Sequence, residues 1–330
     1  MNKIAIIGTG ISGLTCAHYL KELADITLFE KSRGVGGRIS TRRADPFCFD
    51  HGAQYFTAQS KEFKTFIKPL LKQEIIVPWH SRFVAFQKYN VAKRLSTSID
   101  DKYYIGVPSM SSIGKYLVDG LDIRLSTHIS NVDLNRNRWT LTTKSGERHD
   151  GFDWVIVTAP APQTIELMPS VFKFYDELDD YEMTSCVSLM LGFEKPLNLS
   201  FDCAKITDSD IEWISVNCNK PGRNDHYSLL VQASTHWVDQ HLNDGREAIL
   251  KHLSKETSLT IEKDLSKAVH KDIHIWRFSR GYNQQKSHIL VDKKSKLAAC
   301  GDWCVGSDVE SAFTSAFNVS RVIKEFLLNE

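Results

Sequence analysis

The sequence predicts an α/β fold with two domains, one built on a parallel sheet and one of α+β type with a mainly antiparallel sheet. A glycine-rich turn joins a buried strand to a helix at Gly8–Gly13, and strand-then-helix patterns return near residues 153–167 and 297–326. Residues 163–290 instead hold strands in succession. Strands that alternate with helices form parallel sheets, whereas successive strands pair antiparallel, so the chain predicts one domain of each kind.

The turn Gly8-Thr9-Gly10-Ile11-Ser12-Gly13 is a GxGxxG motif, typical of Rossmann-like dinucleotide-binding units. Lys3–Ile7 is a predicted buried strand before it, and apolar residues follow at helical spacing: Leu14, Ala17, Leu20 and Leu23. We expect Gly8 to allow the tight turn, Gly10 to let a pyrophosphate approach the backbone, and Gly13 to let helix and strand pack closely. The N–H groups that open the helix then face the phosphates.

Two further segments extend this prediction. Ile26–Phe29 is a predicted strand that ends at Glu30, near the offset at which an acid binds the hydroxyls of an adenosine ribose. A carboxylate there repels a 2′-phosphate, so we expect an unphosphorylated adenosine. Gly36-Gly37-Arg38 follows, where two glycines free the backbone and Arg38 offers a fork of donors to phosphate oxygens.

Composition excludes several classes of protein. The 330 residues are 42% hydrophobic, and 41 Lys plus Arg against 40 Asp plus Glu leave a net charge of +1, so no overall field attracts nucleic acid or an acidic membrane. No run reaches the roughly 18 apolar residues of a membrane span and no signal peptide precedes the first strand, so we expect a cytoplasmic protein. Seven scattered cysteines without a CxxC pair predict neither a disulfide framework nor a metal site.

The middle of the chain alternates between the two predicted domains. Residues 61–73 predict an amphipathic helix, and Ile75–Tyr104 has the alternation of strands and a hairpin. A serine cap is predicted to open a helix that runs through Leu117. Ile123–Ile129 is a predicted strand, with Trp139–Thr143 as its hairpin partner.

The second half begins with a buried strand, Asp153–Val157, which ends before two prolines. Three strands are predicted at 185–193, 211–216 and 227–233, followed by a helix from about Asn243 to Lys255. Leu297–Asp302 is a last strand, and Val309 begins a last helix. We therefore assign the first domain to 1–74, 105–162 and 292–330, and the second to 75–104 and 163–291.

Four segments resemble a known family. Glu30-Lys31 with Gly36-Gly37-Arg38, the run Asp50-His51-Gly52-Ala53-Gln54-Tyr55, Trp276-Arg277-Phe278 and Gly301-Asp302-Trp303-Cys304 are similar to the renalase family. These are small FAD oxidoreductases of the flavin amine oxidase superfamily. The resemblance implies a Rossmann-like FAD-binding domain and a substrate domain, as in monoamine oxidase and p-hydroxybenzoate hydroxylase.

The glycine motif and the resemblance together predict the residues of the site. Contacts with FAD are predicted for Gly8, Gly10, Ile11, Ser12, Gly13, Glu30, Lys31, Gly37, Arg38, Gln54, Tyr55, Ile129, Thr158, Asp302, Val309 and Ala312. Tyr55, Trp276 and Arg277 are predicted substrate contacts. No side chain is predicted to be catalytic, because the reacting atom is flavin N5. Cys304 does not match the position of the attachment cysteine of monoamine oxidases, so we expect non-covalent FAD.

Two positions depart from the family pattern. His51 stands where relatives have an aliphatic residue, and Ser307-Asp308 replaces an expected Gly-Arg. If that arginine binds a substrate phosphate in relatives, its absence predicts a different substrate affinity here.

The resemblance implies oxidation of 2- and 6-dihydro isomers of NAD(P) to NAD(P)⁺, with hydride transfer to flavin N5 and return of the electrons to O₂ as H₂O₂. The sequence has a single GxGxxG, so a substrate would bind directly over the flavin. Two alternatives stay open: a flavin amine oxidase that takes a monoamine or polyamine, and a non-catalytic flavin-binding redox sensor. The predicted partners are a small-molecule substrate and O₂.

Overall fold

A six-stranded sheet forms the centre of the first domain. The computed structural model describes residues 1–96, 103–282 and 289–329 of the chain. The sheet has the spatial order β19 (Leu290–Asp292), β20 (Leu297–Ala299), β13 (Trp154–Val157), β1 (Asn2–Ile7), β2 (Ala24–Phe29), β9 (Asp122–Arg124). Neighbouring strands are parallel except β19 and β20. The predicted Rossmann-like sheet is therefore confirmed.

The two faces of this sheet are covered differently. The described residues of this half of the molecule form the helices α1 (Ile11–Leu20), α2 (Lys61–Lys72), α3 (Ser111–Leu117), α4 (Ala161–Leu167) and α7 (Val309–Asn329). Ile4 and Ile6 of β1 pack in one apolar cluster with α1 and α7, whereas Ala5 and Ile7 pack in another with a second, smaller sheet. Because successive side chains of a strand point to opposite faces, an unbroken apolar strand is buried on both.

The smaller sheet has three strands, β10 (Ile129–Asn135), β11 (Arg138–Thr143) and β12 (Arg148–Phe152). The predicted pairing of Ile123–Ile129 with Trp139–Thr143 as a hairpin was wrong. Residues 122–124 form β9 in the large parallel sheet, and β11 pairs instead with β10, which begins at Ile129. The predicted strand Ile123–Ile129 thus contains residues of β9, in the parallel sheet, and the first residue of β10, in the three-stranded sheet.

A seven-stranded sheet dominates the second half of the molecule. Its spatial order is β18 (His270–Gly281), β14 (Met183–Phe193), β17 (Tyr227–Ala233), β16 (Ile211–Val216), β15 (Cys203–Thr207), β6 (Arg82–Gln87), β7 (Asn90–Ser96). All pairs are antiparallel except β15 with β6, so the mainly antiparallel sheet is confirmed. Helices α5 (Thr235–His241) and α6 (Arg246–Ile261) pack on its apolar face.

Two small antiparallel sheets also occur in the described part of the chain. One is the hairpin of β3 (Arg42–Ala44) with β4 (Phe47–Phe49), and the other pairs β5 (Ile76–Pro78) with β8 (Tyr104–Gly106), which β6 and β7 separate in the sequence. The predicted serine cap was wrong, since Met110 precedes α3 without a side-chain hydrogen bond to the helix. Helix α1 ends at Leu20, so Leu23 lies in the turn after it. The part of the predicted 75–104 segment at 97–102 lies outside the described residues.

The helices that the structure describes include none with the length and apolar character needed to cross a bilayer. The division into two domains at the predicted boundaries stays a prediction.

Candidate functional site

One cavity of about 2330 Å³ lies between the parallel sheet and the seven-stranded sheet. Small-molecule sites usually measure roughly 300–1,000 Å³, so this volume holds more than a single small ligand. Apart from Gly13, each predicted site residue lines it: Gly8, Gly10, Ile11, Ser12, Glu30, Lys31, Gly37, Arg38, Gln54, Tyr55, Ile129, Thr158, Trp276, Arg277, Asp302, Val309 and Ala312. Their individual contacts with FAD or substrate stay predictions.

The glycine turn follows the expected division of roles. Gly8 has φ +109°, a left-handed conformation that favours glycine. A Cβ on Gly13 would lie 2.0 Å from the carbonyl oxygen of Gly8, so helix α1 and strand β1 approach too closely for any side chain there. A Cβ on Gly10 would meet nothing within 4 Å. Gly10 therefore faces open cavity, which leaves its backbone accessible to a ligand.

Glu30 ties the end of β2 to this turn. Its Oε2 accepts hydrogen bonds from the backbone N–H of Thr9 at 3.0 Å and from Thr9 Oγ1 at 2.7 Å, and its Oε1 accepts one from Ser32 N at 2.8 Å. Glu30 is 6% exposed. The sequence predicted a ribose contact, and the structure adds a second role in holding the turn. Thr158 braces the same turn from β13, because its Oγ1 donates to the carbonyl of Ile7 at 3.0 Å.

Arg38 and Asp302, predicted as separate FAD contacts, form a bidentate ion pair. Arg38 Nη1 lies 2.8 Å from Asp302 Oδ2, and Arg38 Nη2 lies 2.5 Å from Asp302 Oδ1. Arg38 Nη1 also donates to the carbonyl of Ser279 at 2.8 Å. The guanidinium has five N–H donors, so these three bonds leave two without a hydrogen-bond partner among the residues that the structure describes. The pair joins the glycine-rich loop to the closing segment and to β18.

The loop at residues 50–55 is held by side chains of the seven-stranded sheet. The carbonyl of His51 accepts from Ser188 Oγ at 2.7 Å and from Trp276 Nε1 at 2.8 Å. The carbonyl of Gly52 accepts from Gln232 Nε2 at 3.0 Å. Trp276, a predicted substrate contact, therefore uses its only polar atom to position the loop, although its ring lines the cavity.

Gln54 and Tyr55 differ in what they offer to a ligand. The Gln54 amide donates to the carbonyls of Asp50 at 2.5 Å and Gly52 at 3.0 Å, and its Oε1 accepts from Lys220 Nζ at 3.1 Å. A contact between Gln54 and FAD would therefore use the main chain. The ring of Tyr55 lines the cavity, and burial raises the pKa of its hydroxyl to about 12.

Two further aromatic rings that line the cavity lie beside the ring of Tyr55. Its ring centroid lies 4.5 Å from that of Tyr103 and 5.5 Å from that of Trp213, and all three rings line the cavity. Ring faces of this kind stack on flat ligands. Tyr103 and Trp213 were not among the predicted site residues, because no local motif contains them.

A buried charge cluster behind Gln54 was also missed. Asp50 Oδ2 lies 2.5 Å from Arg223 Nη2 and 3.3 Å from Lys220 Nζ, and the side chains of Asp50 and Lys220 are 0% exposed. Burial lowers the pKa of Lys220 to about 8 despite the attraction of Asp50. Asp50 belongs to the motif at residues 50–55, but Lys220 and Arg223 are 170 or more positions away in the chain. No regular spacing in the sequence connects them to Asp50.

Two β-bulges turn further charged side chains into the cavity. A register shift between β16 and β17 leaves Glu212 as an extra residue, and a shift between β14 and β18 brings Arg277 to the cavity wall. Bulges interrupt the two-residue alternation and re-aim side chains. Glu212 forms an ion pair with Arg280 across the sheet. The alternation of apolar and polar residues in the sequence does not reveal the ion pair between Glu212 and Arg280.

The cavity wall is strongly positive compared with the whole chain. Eleven lysine and arginine residues line it against six aspartate and glutamate residues, an excess of five positive charges. The net charge of the whole chain is only +1. A concave wall of one sign concentrates ligands of the opposite sign, so the arrangement favours anionic ligands.

Comparison with protein families gives two matches. Residues 100–324 match the family model for flavin containing amine oxidoreductases, and residues 6–70 match that for the NAD(P)-binding Rossmann-like domain. Renalase of Mus musculus is 25% identical in an alignment that covers 99% of this chain and 100% of that protein. The similarity to renalase thus spans both sheets.

Solved structures show the same fold. The putative protoporphyrinogen oxidase from Exiguobacterium sp. 255-15 superimposes with a TM-score of 0.77 and 14% identity, covering 100% of this chain and 99% of that one. Wild-type putrescine oxidase bound to putrescine gives a TM-score of 0.71 and 12% identity, covering 98% and 99%. At these identities the likeness concerns the arrangement of the two sheets.

Proposed function

This chain belongs to the flavin-containing amine oxidoreductase family, and from that premise we propose that it oxidises 2- and 6-dihydro isomers of NAD(P) to NAD(P)⁺. The similarity to renalase over the whole chain supports the choice of substrate class. The proposed net reaction consumes one dihydro-nicotinamide, one O₂ and one proton, and yields NAD(P)⁺ and H₂O₂. The observation that carries the choice is the positive charge of the cavity wall.

The residues of the glycine turn fit the FAD that the family implies. The open backbone at Gly10 and the two free donors of Arg38 would hold the pyrophosphate, and the carboxylate of Glu30 would accept from the adenosine ribose. When bound, FAD supplies an acceptor for two electrons and passes them to O₂. These features of Gly10, Glu30 and Arg38 support the predicted FAD contacts.

We propose that FAD is bound without a covalent link. Cys304 is 0% exposed and does not line the cavity, and burial raises the pKa of its thiol to about 12. A thiol that stays protonated and buried is a poor nucleophile. This supports the expectation drawn from its position in the sequence.

The cavity charge also separates the proposed substrate from the amine alternative. A dihydro-nicotinamide dinucleotide carries phosphates, whereas an amine substrate is a cation and would meet a wall with an excess of five positive charges. Glu212 lines the cavity and directly precedes Trp213 in the sequence, but its carboxylate already forms an ion pair with Arg280. Tyr55, Tyr103 and Trp213 offer ring faces for a nicotinamide.

We propose that the domain with the seven-stranded sheet, at 75–104 and 163–291, forms the substrate wall. It contributes Trp213, Arg277 and Arg280 to the cavity, and its side chains hold the loop that carries Tyr55. Since hydride transfer needs alignment more than an acid or base, these residues would act by orienting the substrate ring. This agrees with the absence of a predicted catalytic side chain.

The test is anaerobic reduction of the purified yellow protein in a stopped-flow instrument. We expect 2- and 6-dihydro isomers to bleach the flavin absorbance on the order of 100-fold faster than NADH, because a misplacement of about 1 Å costs about that much. Comparable rates with NADH would indicate a general NADH oxidase. Reduction by primary amines alone would favour an amine oxidase, and no reduction by either donor class would favour a redox sensor.

Replacing Arg38 by alanine is expected to weaken FAD binding by about 1.5–3 kcal/mol, since a charge-assisted hydrogen bond to phosphate is lost. The dissociation constant is measured by flavin fluorescence as FAD is added back to the apoprotein. Arg33→Ala is the matched control, because Arg33 is an exposed arginine of the same loop. We expect it to change affinity by less than about 0.5 kcal/mol. Equal effects of both variants would show that general loop charge, and not the Arg38 fork, holds FAD.

A further inference from the structure

Arg42 is a half-buried cation in the cavity wall with no acidic partner among the described residues. Three of the other arginines that line the cavity do have one: Arg38 pairs with Asp302, Arg223 with Asp50 and Arg280 with Glu212. The Nε atom of Arg42 is buried and has no hydrogen-bond partner. A guanidinium that lines the cavity with no acid to balance its charge favours an anionic ligand, because the oxygens of such a ligand accept hydrogen bonds from N–H groups.

Among the described residues, the side chain of Arg42 forms its hydrogen bond with His274. Arg42 Nη2 lies 3.1 Å from His274 Nδ1. Arginine has no acceptor atom, so Nδ1 must accept this bond, and the proton of the neutral ring is on Nε2. Burial, followed by the charge of Arg42, lowers the pKa of His274 to about 4, which keeps the ring neutral. Arg42 and His274 together therefore present only donors to the cavity.

The surroundings do not neutralise this charge. The ring centroid of His51 lies 4.7 Å from that of His274, and burial lowers the pKa of His51 to about 3. Both histidines are thus uncharged beside one full positive charge. The nearby Trp276 ring, 4.3 Å from His274 between centroids, closes the cluster with an apolar surface. The guanidinium thus lines the cavity with its charge uncompensated, which favours an anionic ligand.

We propose that Arg42 and His274 bind a phosphate group of the substrate. The proposal rests on the proposed function, because a dinucleotide substrate brings phosphates of its own. The sequence contains one GxGxxG, which the FAD pyrophosphate would occupy, so a second dinucleotide needs a phosphate site built from side chains. The planar fork of Arg42 and the Nε2–H of His274 match the donor geometry that phosphate oxygens accept.

The first test compares two substrates that differ in phosphate. For Arg42→Gln we expect KM for the dihydro-nicotinamide dinucleotide to rise about 10-fold or more, with kcat nearly unchanged. KM for the corresponding dihydro-nicotinamide riboside, which has the ring but no phosphate, should not change. Arg148→Gln is the matched control, because it removes the same charge from an exposed position away from the cavity. An equal rise of KM for both substrates would overturn the proposal.

A second test does not depend on turnover. Inorganic phosphate should bind wild-type holoenzyme in calorimetry and compete with the dinucleotide, and Arg42→Gln should abolish this binding while its flavin spectrum stays unchanged. Loss of phosphate binding in Arg42→Gln but retention in Arg148→Gln supports the site. No phosphate binding to the wild type overturns it. If phosphate instead displaces FAD, and Arg42→Gln weakens FAD, the site belongs to the cofactor and the proposal is wrong.

These tests separate the two proposals. Failure of dihydro-nicotinamides to reduce wild-type flavin contradicts the proposed function, and the phosphate site would then have no dinucleotide to bind. Normal reduction together with an unaltered KM in Arg42→Gln contradicts only the phosphate site. Arg42→Lys serves as a control for a folding defect, because it keeps the positive charge but loses the planar fork of donors. We expect its KM for the dinucleotide to lie between those of wild type and Arg42→Gln.

Discussion

Asp50→Asn is expected to lower the free energy of unfolding by about 3–5 kcal/mol, the range found when one partner of a buried ion pair is removed. Among the described residues, Asp50 is the only carboxylate that forms an ion pair with Lys220 or Arg223, whose side chains are 0% and 2% exposed. Asparagine keeps the shape but leaves the buried charge of Arg223 without its acid, and it lowers the pKa of Lys220 further, so that Lys220 either stays charged without a partner or loses its proton. The free energy is measured by urea unfolding with FAD bound.

The pH dependence provides an internal check. Burial raises the pKa of Asp50, but the charges of Lys220 and Arg223 outweigh it and lower the pKa from 3.8 to about 2. A carboxyl whose pKa is lower in the folded state stabilises the fold above its unfolded pKa and loses that contribution as pH falls through the folded value. The contribution of the Asp50 carboxylate to the gap between wild type and Asp50→Asn should thus shrink by about 2 kcal/mol as pH falls from about 4 to about 2.

Two further variants test whether the buried charges cause the loss of stability in Asp50→Asn. Asp225→Asn is the control, since Asp225 is an exposed aspartate close to Arg223 in sequence, and we expect a change within about 0.5 kcal/mol. The double variant Asp50→Asn with Lys220→Met should lose less than the two single variants together, because it removes one of the stranded charges. A loss of less than about 1 kcal/mol in Asp50→Asn would show that water compensates the cluster.

Gly13→Ala is expected to abolish retention of FAD and to lower the free energy of unfolding by about 3 kcal/mol, the upper end of the usual range for overpacking. The new Cβ would lie 2.0 Å from the carbonyl oxygen of Gly8 and 2.9 Å from Thr158 Oγ1. Both contacts involve the fixed end of β1 and its neighbour β13, so α1 has to move away from the sheet. Gel filtration followed by the absorbance ratio at flavin and protein wavelengths measures FAD retention.

Two other glycines distinguish a packing defect from a binding defect. Gly34→Ala is the control, because a Cβ there meets nothing within 4 Å and lies outside the GxGxxG turn, so stability and FAD retention should persist. Gly10→Ala should leave stability within about 0.5 kcal/mol, since its Cβ also meets nothing, but should weaken FAD by filling the space proposed for the pyrophosphate. Full FAD retention in Gly10→Ala would contradict the proposed cradle.

Much of the fold was predictable from local patterns. The apolar strand before Gly8 and the spaced apolar residues after it predicted β1 and α1, and the successive strands at 185–193, 211–216 and 227–233 predicted the mainly antiparallel sheet. These predictions hold because each depends on residues within one element, whose periodicity matches the element's geometry. The assignment of residues 123–129 to one strand was wrong, because alternation alone does not show which sheet a strand joins.

The sequence by itself determined the dinucleotide turn, the acid at Glu30 and the arginine at Arg38, since short motifs carry their chemistry within a few residues. Only the tertiary structure decided how charges are paired. It joins Arg38 to Asp302, encloses Asp50 with Lys220, and leaves Arg42 beside His274 without an acid. These partners are far apart in the chain, and a contact made by packing two sheets against one loop leaves no spacing in the sequence by which it can be recognised.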